Sequence, residues 1–374
     1  MRLLRRLDLM KGVVFVITLW YLLTVSKHQE KIEDIWNAAK STADEHYLYS
    51  EDFEWRKVTV ALTEARIEKV FVLSPEDIEL RVVFPKLRNL DFGTTYKWLL
   101  CLEGDQMAIF KPKWYDRDYS PQFWSDGFEL HTSEIASFHL DRILGFRRVP
   151  FASGRLINFR SEILPVASRY LLETSFAKGS EWCLSATCYF CTEPLITCST
   201  GGLIEGAASY FVDGLSDARH DPFSLSSSAS NRKGCDNLWF GGSLPEPPLA
   251  PLEQRVELSV LDFLTNHFDS KLYFHKKGFL VYADRGRSFT DSYVDDDTNL
   301  AALKICCRMP FQTKRRLEKL STENQLNRLL KESLQNDAIG SLPILSEEHL
   351  AAVQRRLQRV LQIARKCALE VKSN

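Results

Sequence analysis

Residues 261–289 read LDFLTNHFDSKLYFHKKGFLVYADRGRSF, two short apolar runs that each end on an acid. Asp269 follows Leu261–Phe268, and Asp284 follows Phe279–Ala283. The run LYFHKKGFLVY between them reads as a small apolar hairpin. Taken singly, both acids have simple readings. Asp269 before Ser270 can cap a turn, and DRG at 284–286 is an ordinary turn composition. Whether they are turn residues or a pair working on one substrate depends on what else the chain carries.

The segment FGTTYKWLLCLEGDQMAIFKPK (92–113) contains two strand-like runs, Trp98–Leu102 and Met107–Phe110, with Gly104-Asp105 marking a hairpin between them and Pro112 ending the second. HTSEIASFHLDRILGFRRVP (131–150) has the pattern of a helix capped by Thr132 or Ser133, with Glu134 in its first turn and Gly145 as its stop. Thr59–Val72 reads as helical or mixed, and further strands are expected at Phe151–Phe159 and Ile163–Leu172. Residues 213–255 shift to a Ser- and Pro-rich composition expected of a long surface loop. Glu257–Phe268 looks helical, and 346–371 predicts a strongly amphipathic helix started by Ser346. A strand-rich half with one helix, then a helical half with a small hairpin, is an α+β arrangement in two lobes.

Two features point to a compartment. MRLLRRLDLMK precedes the uncharged run Gly12–Val25, and no A-x-A site follows, so a retained signal anchor with the body in the lumen is expected over a cleaved signal peptide. Of nine cysteines, Cys183, Cys188, Cys191 and Cys198 crowd one stretch, Cys306 and Cys307 are adjacent, and Cys235 and Cys367 stand apart. Cys101, in WLLCL, reads as a buried free thiol. Eight cysteines can make four disulfides in an oxidising compartment. Zinc is the competing reading of Cys188-x-x-Cys191, though the cluster holds no His. With 48 basic against 49 acidic residues there is no broad basic field for nucleic acid. The expected divisions are 1–26 for tail and anchor, 27–54 for a stem, 55–204 for an N-lobe and 205–374 for a C-lobe.

Phosphoryl transfer needs one carboxylate to orient or deprotonate the attacking hydroxyl and another to hold the metal on the phosphates. In kinase-like folds the two sit at the ends of a small hairpin, and a strand Lys and a Glu from the lone N-lobe helix complete the set. Lys111 at a strand end and Glu134 in the following helix come in that order. As single residues they are an ordinary strand end and a helix-dipole acid. The ordered set Lys111, Glu134, Asp269, Asp284 is what rises above chance.

FKPKWYDRD, SEIASFHLDRILGFRRVP, CYFC, EGAASYF, DRGRSF, the CC pair and the late Cys367 strongly resemble the secretory-pathway kinases of the four-jointed and casein-kinase-like type, nearest to their glycosaminoglycan xylosylkinases, over roughly residues 90 to 370. The resemblance implies a disulfide-stabilised, two-lobed atypical kinase fold and a type II Golgi or secreted enzyme. It implies phosphate transfer from ATP with Mn2+ (or Mg2+) to the 2-hydroxyl of xylose in the proteoglycan linker; a Ser of secreted proteins is the alternative acceptor. By position, Asp269 would be the catalytic acid, Asp284 the metal acid, and Lys111 the phosphate ligand. Glu134 would steady Lys111 or help hold the metal, and Tyr210, Phe211, Val212 and Asp213 would lie at the hinge beside adenine. The implied disulfides are Cys183–Cys198 and Cys188–Cys191, with Cys235 and Cys367 taking Cys306 and Cys307.

The chain departs from that pattern where it matters. The D-R-H-H-Y-E loop reads DSKLYF, so Ser270, Lys271 and Leu272 replace Arg and both His, and Phe274 replaces the Glu expected on the nucleotide. A Gln expected sixteen residues before the Lys is Thr95, the Asn two before the catalytic Asp is His267, and the Asn after the metal Asp is Arg285, where it could compete with the metal for Asp284. These losses admit a second class of function, a pseudokinase that binds and regulates an active relative as a heteromer.

Overall fold

A computed structural model describes residues 31–43, 47–85, 95–117, 119, 129–186, 194–217, 252–267, 269–270, 273–335, 337, 339 and 343–372. The N-lobe is built on a five-stranded antiparallel sheet. Its strands are β1 (Ile67–Val72), β2 (Trp98–Leu102), β3 (Gln106–Pro112), β4 (Ala152–Asn158) and β8 (Leu203–Tyr210), in the order β1-β2-β3-β8-β4. β2 and β3 are joined by the three residues Glu103, Gly104 and Asp105, and the last two hold positive φ (76° and 60°), as a tight hairpin connection demands. A Cβ at Gly104 would also come within 2.9 Å of Trp36, so glycine is required there twice over.

Trp36 belongs to a helix over 31–41, α1, inside the stretch read as a stem. Ile32, Trp36 and Ala39 are buried in the main core, and the Trp36 indole donates to Glu103 O at 3.0 Å. The folded body therefore starts well before residue 55. α2 (Trp55–Glu64) then packs on β4, and the short α3 (Ile78–Val83) follows β1. The run 163–172, expected as a strand, instead leaves a π turn (Phe159–Ile163) and enters the short helix α5 (Arg169–Glu173). Ser168 explains the difference, because its hydroxyl accepts from Leu171 N–H and caps a helix start.

One long helix crosses the lobe, α4 (His131–Leu144), and it closes on Gly145 in the left-handed conformation, φ 79°. It starts at His131 without a side-chain cap; Ser133 does not cap it but donates to Ser288 O, at 2.6 Å, in the other lobe. Beside the main sheet, β5 (Ser175–Lys178), β6 (Glu181–Ala186) and β7 (Leu195–Cys198) form a small sheet, where Cys183 and Cys198 face each other and are bridged.

The C-lobe is helical: α6 (Leu252–Thr265), α7 (Ala301–Cys306), α8 (Phe311–Ser321), α9 (Gln325–Gln335) and the 26-residue α10 (Glu347–Lys372). The expected hairpin is present as β10 (Tyr273–His275) and β11 (Leu280–Val281), joined by β9 (Leu215–Asp217) in a three-stranded sheet. Cys307 is bridged to Cys367, and Cys306 is disulfide-bonded as well, while Cys101 is a half-buried free thiol. Cys188, Cys191 and Cys235, the proposed anchor over residues 1–26, and most of the 213–255 loop lie outside the described residues. Among the described residues no helix is long and apolar enough to cross a membrane.

Candidate active site

Lys111 projects from the end of β3 into a buried nest of acids. Its Nζ lies 2.5 Å from Glu134 on α4, 2.5 Å from Asp284 Oδ1 and 3.1 Å from Glu129. The lysine is 6% exposed. Burial pulls its pKa down, but Asp284, Glu129 and Glu134 more than offset this and hold it well above the usual lysine value, so it is always cationic. Three carboxylates around one ammonium leave an excess of negative charge in a buried place. Such a site favours a further cation.

Lys111, Glu134 and Asp284 were legible from their order in the sequence; Glu129 was not. It lies two residues before the helix in a stretch with no motif, beside Leu130, whose N–H donates to Gly286 O at 2.8 Å. Gly286 permits that approach, since a Cβ there would fall 3.1 Å from the Glu129 side chain.

Asp284 has φ 60°, an unusual conformation for a residue with a side chain and one that must be held by its surroundings. Arg285 does not compete for it. The guanidinium turns inward, 1% exposed, and pairs with Asp262 of α6 at 2.7 Å and with Thr265 Oγ1 at 3.1 Å. The concern raised by the sequence is removed because a buried carboxylate on the neighbouring helix claims the arginine. Arg287, two residues on, reaches Asp269 at 3.4 Å, so the loop after Asp284 and the loop at Asp269 are adjacent. Asp269 itself is the most open of the group, with 43% of its side chain exposed. His267 is buried with Nδ1 3.1 Å from Ser288 Oγ, and burial drives its pKa well below the usual value. It is a neutral packing group between the two loops.

Residues directly opposite in an antiparallel pair share a face. Lys111 pairs with Ala207 and Ile109 with Ser209, whereas Ala108 pairs with Tyr210. The Tyr210 ring therefore lies on the face away from Lys111, with centroids 6.2 Å from Trp36 and 5.7 Å from Phe151. Phe211 packs on the Lys111 side with Met107 and Ile109, and its N–H donates to Met107 O at 3.1 Å. Val212 is half-buried and Asp213 exposed, and the four residues line a cavity of about 400 Å3 behind this strand end. Ala207 and Ser209, which face the site, were not singled out from sequence. Thr95 is half-buried ahead of β2 and is not among the groups touching Lys111. Phe274 is buried in β10, paired with Leu280 and Ser216.

A family profile described as Golgi casein kinase, C-terminal, Fam20, matches residues 34–374. The chain belongs to the Fam20 kinase family. Its Fam20 relatives include the glycosaminoglycan xylosylkinase of Homo sapiens, 34% identical over 291 residues that cover 74% of this chain and 70% of the relative. They also include the pseudokinase FAM20A of Mus musculus, 32% identical over 319 residues, 79% of this chain and 55% of that protein. Among solved structures, hydra Fam20 with sugar superposes with a TM-score of 0.74 at 28% identity, covering 90% of this chain and 95% of that one. The Golgi casein kinase with Mn/ADP bound gives 0.71 at 25% identity, over 89% and 80%.

Among the described residues no three His, Cys, Asp or Glu side chains surround a common metal position. The donor set still suits a hard divalent ion carried in by a nucleotide, which takes one or two carboxylates and completes its shell with phosphate and water oxygens. Glu134 and Asp284 are the carboxylates that could supply such oxygens.

Proposed function

We propose that this Fam20 protein is an ATP-dependent kinase of the Golgi lumen that phosphorylates a glycan hydroxyl, the 2-hydroxyl of xylose in the proteoglycan linker. The observation that carries the reading is the buried convergence of Glu134, Asp284 and Glu129 on Lys111, beside a more open Asp269. The xylose assignment is supported by the similarity to xylosylkinases.

Asp284 and Glu134 would hold Mn2+ or Mg2+, which neutralises phosphate charge as it develops. Lys111, released from part of its acid nest, would pair with ATP phosphate oxygens. Phe211 and Ile109 would lie under the base. Asp269 accepts the proton of the acceptor hydroxyl while that oxygen bonds to the γ-phosphorus, the bond from phosphorus to the β,γ-bridging oxygen breaks, and ADP departs. Exposure of Asp269 fits this role, because an acceptor must reach it from solvent. The signal-anchor reading of residues 1–26 would place this body on the lumenal side of the Golgi membrane.

The test is the full-length protein with Mn2+ and labelled ATP, offered a galactose-xylose acceptor and, separately, a Ser-x-Glu peptide. Transfer to the disaccharide that disappears in Asp269→Ala is the expected result. Label on the peptide alone would reassign the acceptor to protein serine. Equal background in wild type and Asp269→Ala would favour the pseudokinase reading, which the loss of the catalytic-loop Arg, His and Glu motivates.

A further inference from the structure

Asp262 lies on α6, and its two carboxylate oxygens serve two different loops. Oδ1 accepts from Arg285 Nη1 at 2.7 Å, and Oδ2 accepts from the Ser270 hydroxyl. Arg285 is the residue after Asp284, and Ser270 is the residue after Asp269. The Asp262 side chain is 10% exposed and stands on a buried helix, so it is a rigid reference point. The end of α6, just ahead of Asp269, is stitched to the loop after Asp284 twice more, by Phe289 N–H to Thr265 O at 2.5 Å and by Asn266 Nδ2 to Thr290 Oγ1 at 3.4 Å. Asp284 (φ 60°) and Asn266 (φ 51°) both hold left-handed backbone, which persists only where neighbours fix it.

We propose that Asp262 is a positioning residue that sets the separation of Asp269 and Asp284 through Ser270 and Arg285; the inference rests on the roles given to those two acids above. It also joins two departures into one. Where the motif resembled by this chain has Arg after the first acid and Asn after the second, the chain has Ser270 and Arg285. Both positions touch the same carboxylate. A single guanidinium reaches Asp262 from the 285 side, so moving it to the 270 side requires changing both residues together. Ser270→Arg alone puts two guanidiniums on one buried carboxylate, Arg285→Asn alone leaves none, and the double variant returns one.

The experiment compares full-length wild type, S270A, S270T, S270R, R285N and S270R/R285N in melting temperature, Mn2+-dependent ADP affinity, kcat and KM for ATP. S270A keeps the ion pair and folds; its kcat falls about tenfold while ADP affinity, KM and melting temperature stay at wild-type values, and S270T restores kcat. R285N loses both kcat and ADP affinity, and the double variant recovers at least tenfold over each single one in a double-mutant cycle. Wild-type kcat in S270A, or a double variant no better than the worse single, overturns the proposal. If wild type transfers no phosphate to any acceptor, that failure belongs to the proposed function, and the positioning claim is read from ADP affinity alone. There, R285N binding Mn-ADP as wild type does would overturn it.

Discussion

Glu129 sits 3.1 Å from Lys111 Nζ with only 10% of its side chain exposed, the third acid around one cation. Its removal should therefore act in opposite directions on two quantities. Glu129→Gln lowers the repulsion among buried carboxylates, so the melting temperature without metal holds or rises; the metal-nucleotide site loses negative charge, so Mn2+-dependent ADP affinity falls about tenfold. Differential scanning fluorimetry with and without Mn-ADP reads both, and a fall in both or a fall in neither contradicts the charge account. Lys111, Glu134 and Asp284 could be read from the sequence because chain order along strand, helix and hairpin is itself the signal. Glu129 and the inward turn of Arg285 could not, because each depends on which buried group lies across a loop, and no local spacing encodes that.

At the scale of elements, α4 is the hinge pin of the site. It carries Glu134, ties to the loop after Asp284 through Ser133, and ties to the C-lobe through His139, whose two ring nitrogens lie 2.6 Å from Ser333 Oγ and 2.8 Å from Asp337 Oδ2. Burial lowers the His139 pKa, so this contact is made by a neutral ring. Asp141, one turn before the helix end, accepts from Arg148 and Val149 N–H at 2.9 and 3.1 Å and so folds the chain back after Gly145. Burial pushes its pKa up to about 7 against those hydrogen bonds. The folded state thus keeps a proton that the unfolded chain releases above the ordinary carboxylate pKa, and this group's contribution declines as pH rises from about 4 to 7, by at most about 1.4 kcal/mol per unit. Relative to wild type, Asp141→Asn should gain stability over that window and level off above it, measured as the difference in unfolding free energy. A difference that does not change with pH would refute the assignment. The C-terminal stop of α4, the β2–β3 hairpin and α10 were legible because Gly145, Gly104-Asp105, and periodicity with Ser346 mark them locally, whereas the start of α4 lacks the Thr132 or Ser133 cap expected of it. The 163–172 segment was misread as strand, since the Ser168 cap that turns it into helix counts for more than the apolar run around it.

On the scale of the molecule, one continuous core spans both lobes and takes in α1. Trp36 is fully buried against Gly104 and Glu103 beside the β2–β3 turn, so Trp36→Ala should cost about 3–5 kcal/mol in chemical denaturation, and a chain begun at residue 45 should be destabilised relative to one begun at residue 31. Equal stability of the two truncations would return residues 31–43 to the role of a stem. α1 was not recognised in sequence because its few apolar positions are spaced among charges, and their burial depends on a glycine turn some seventy residues away. The sheet order and the place of the hairpin together bring Lys111 of one lobe against Asp284 of the other. That junction is where nucleotide and metal are proposed to meet, and calorimetric titration of ADP into the full-length protein with and without Mn2+, for wild type and Asp284→Asn, tests it most directly. Wild type should bind ADP in a Mn2+-dependent way, at least tenfold more tightly than Asp284→Asn; ADP binding that is indifferent to the metal, or unchanged in the variant, would rule that junction out.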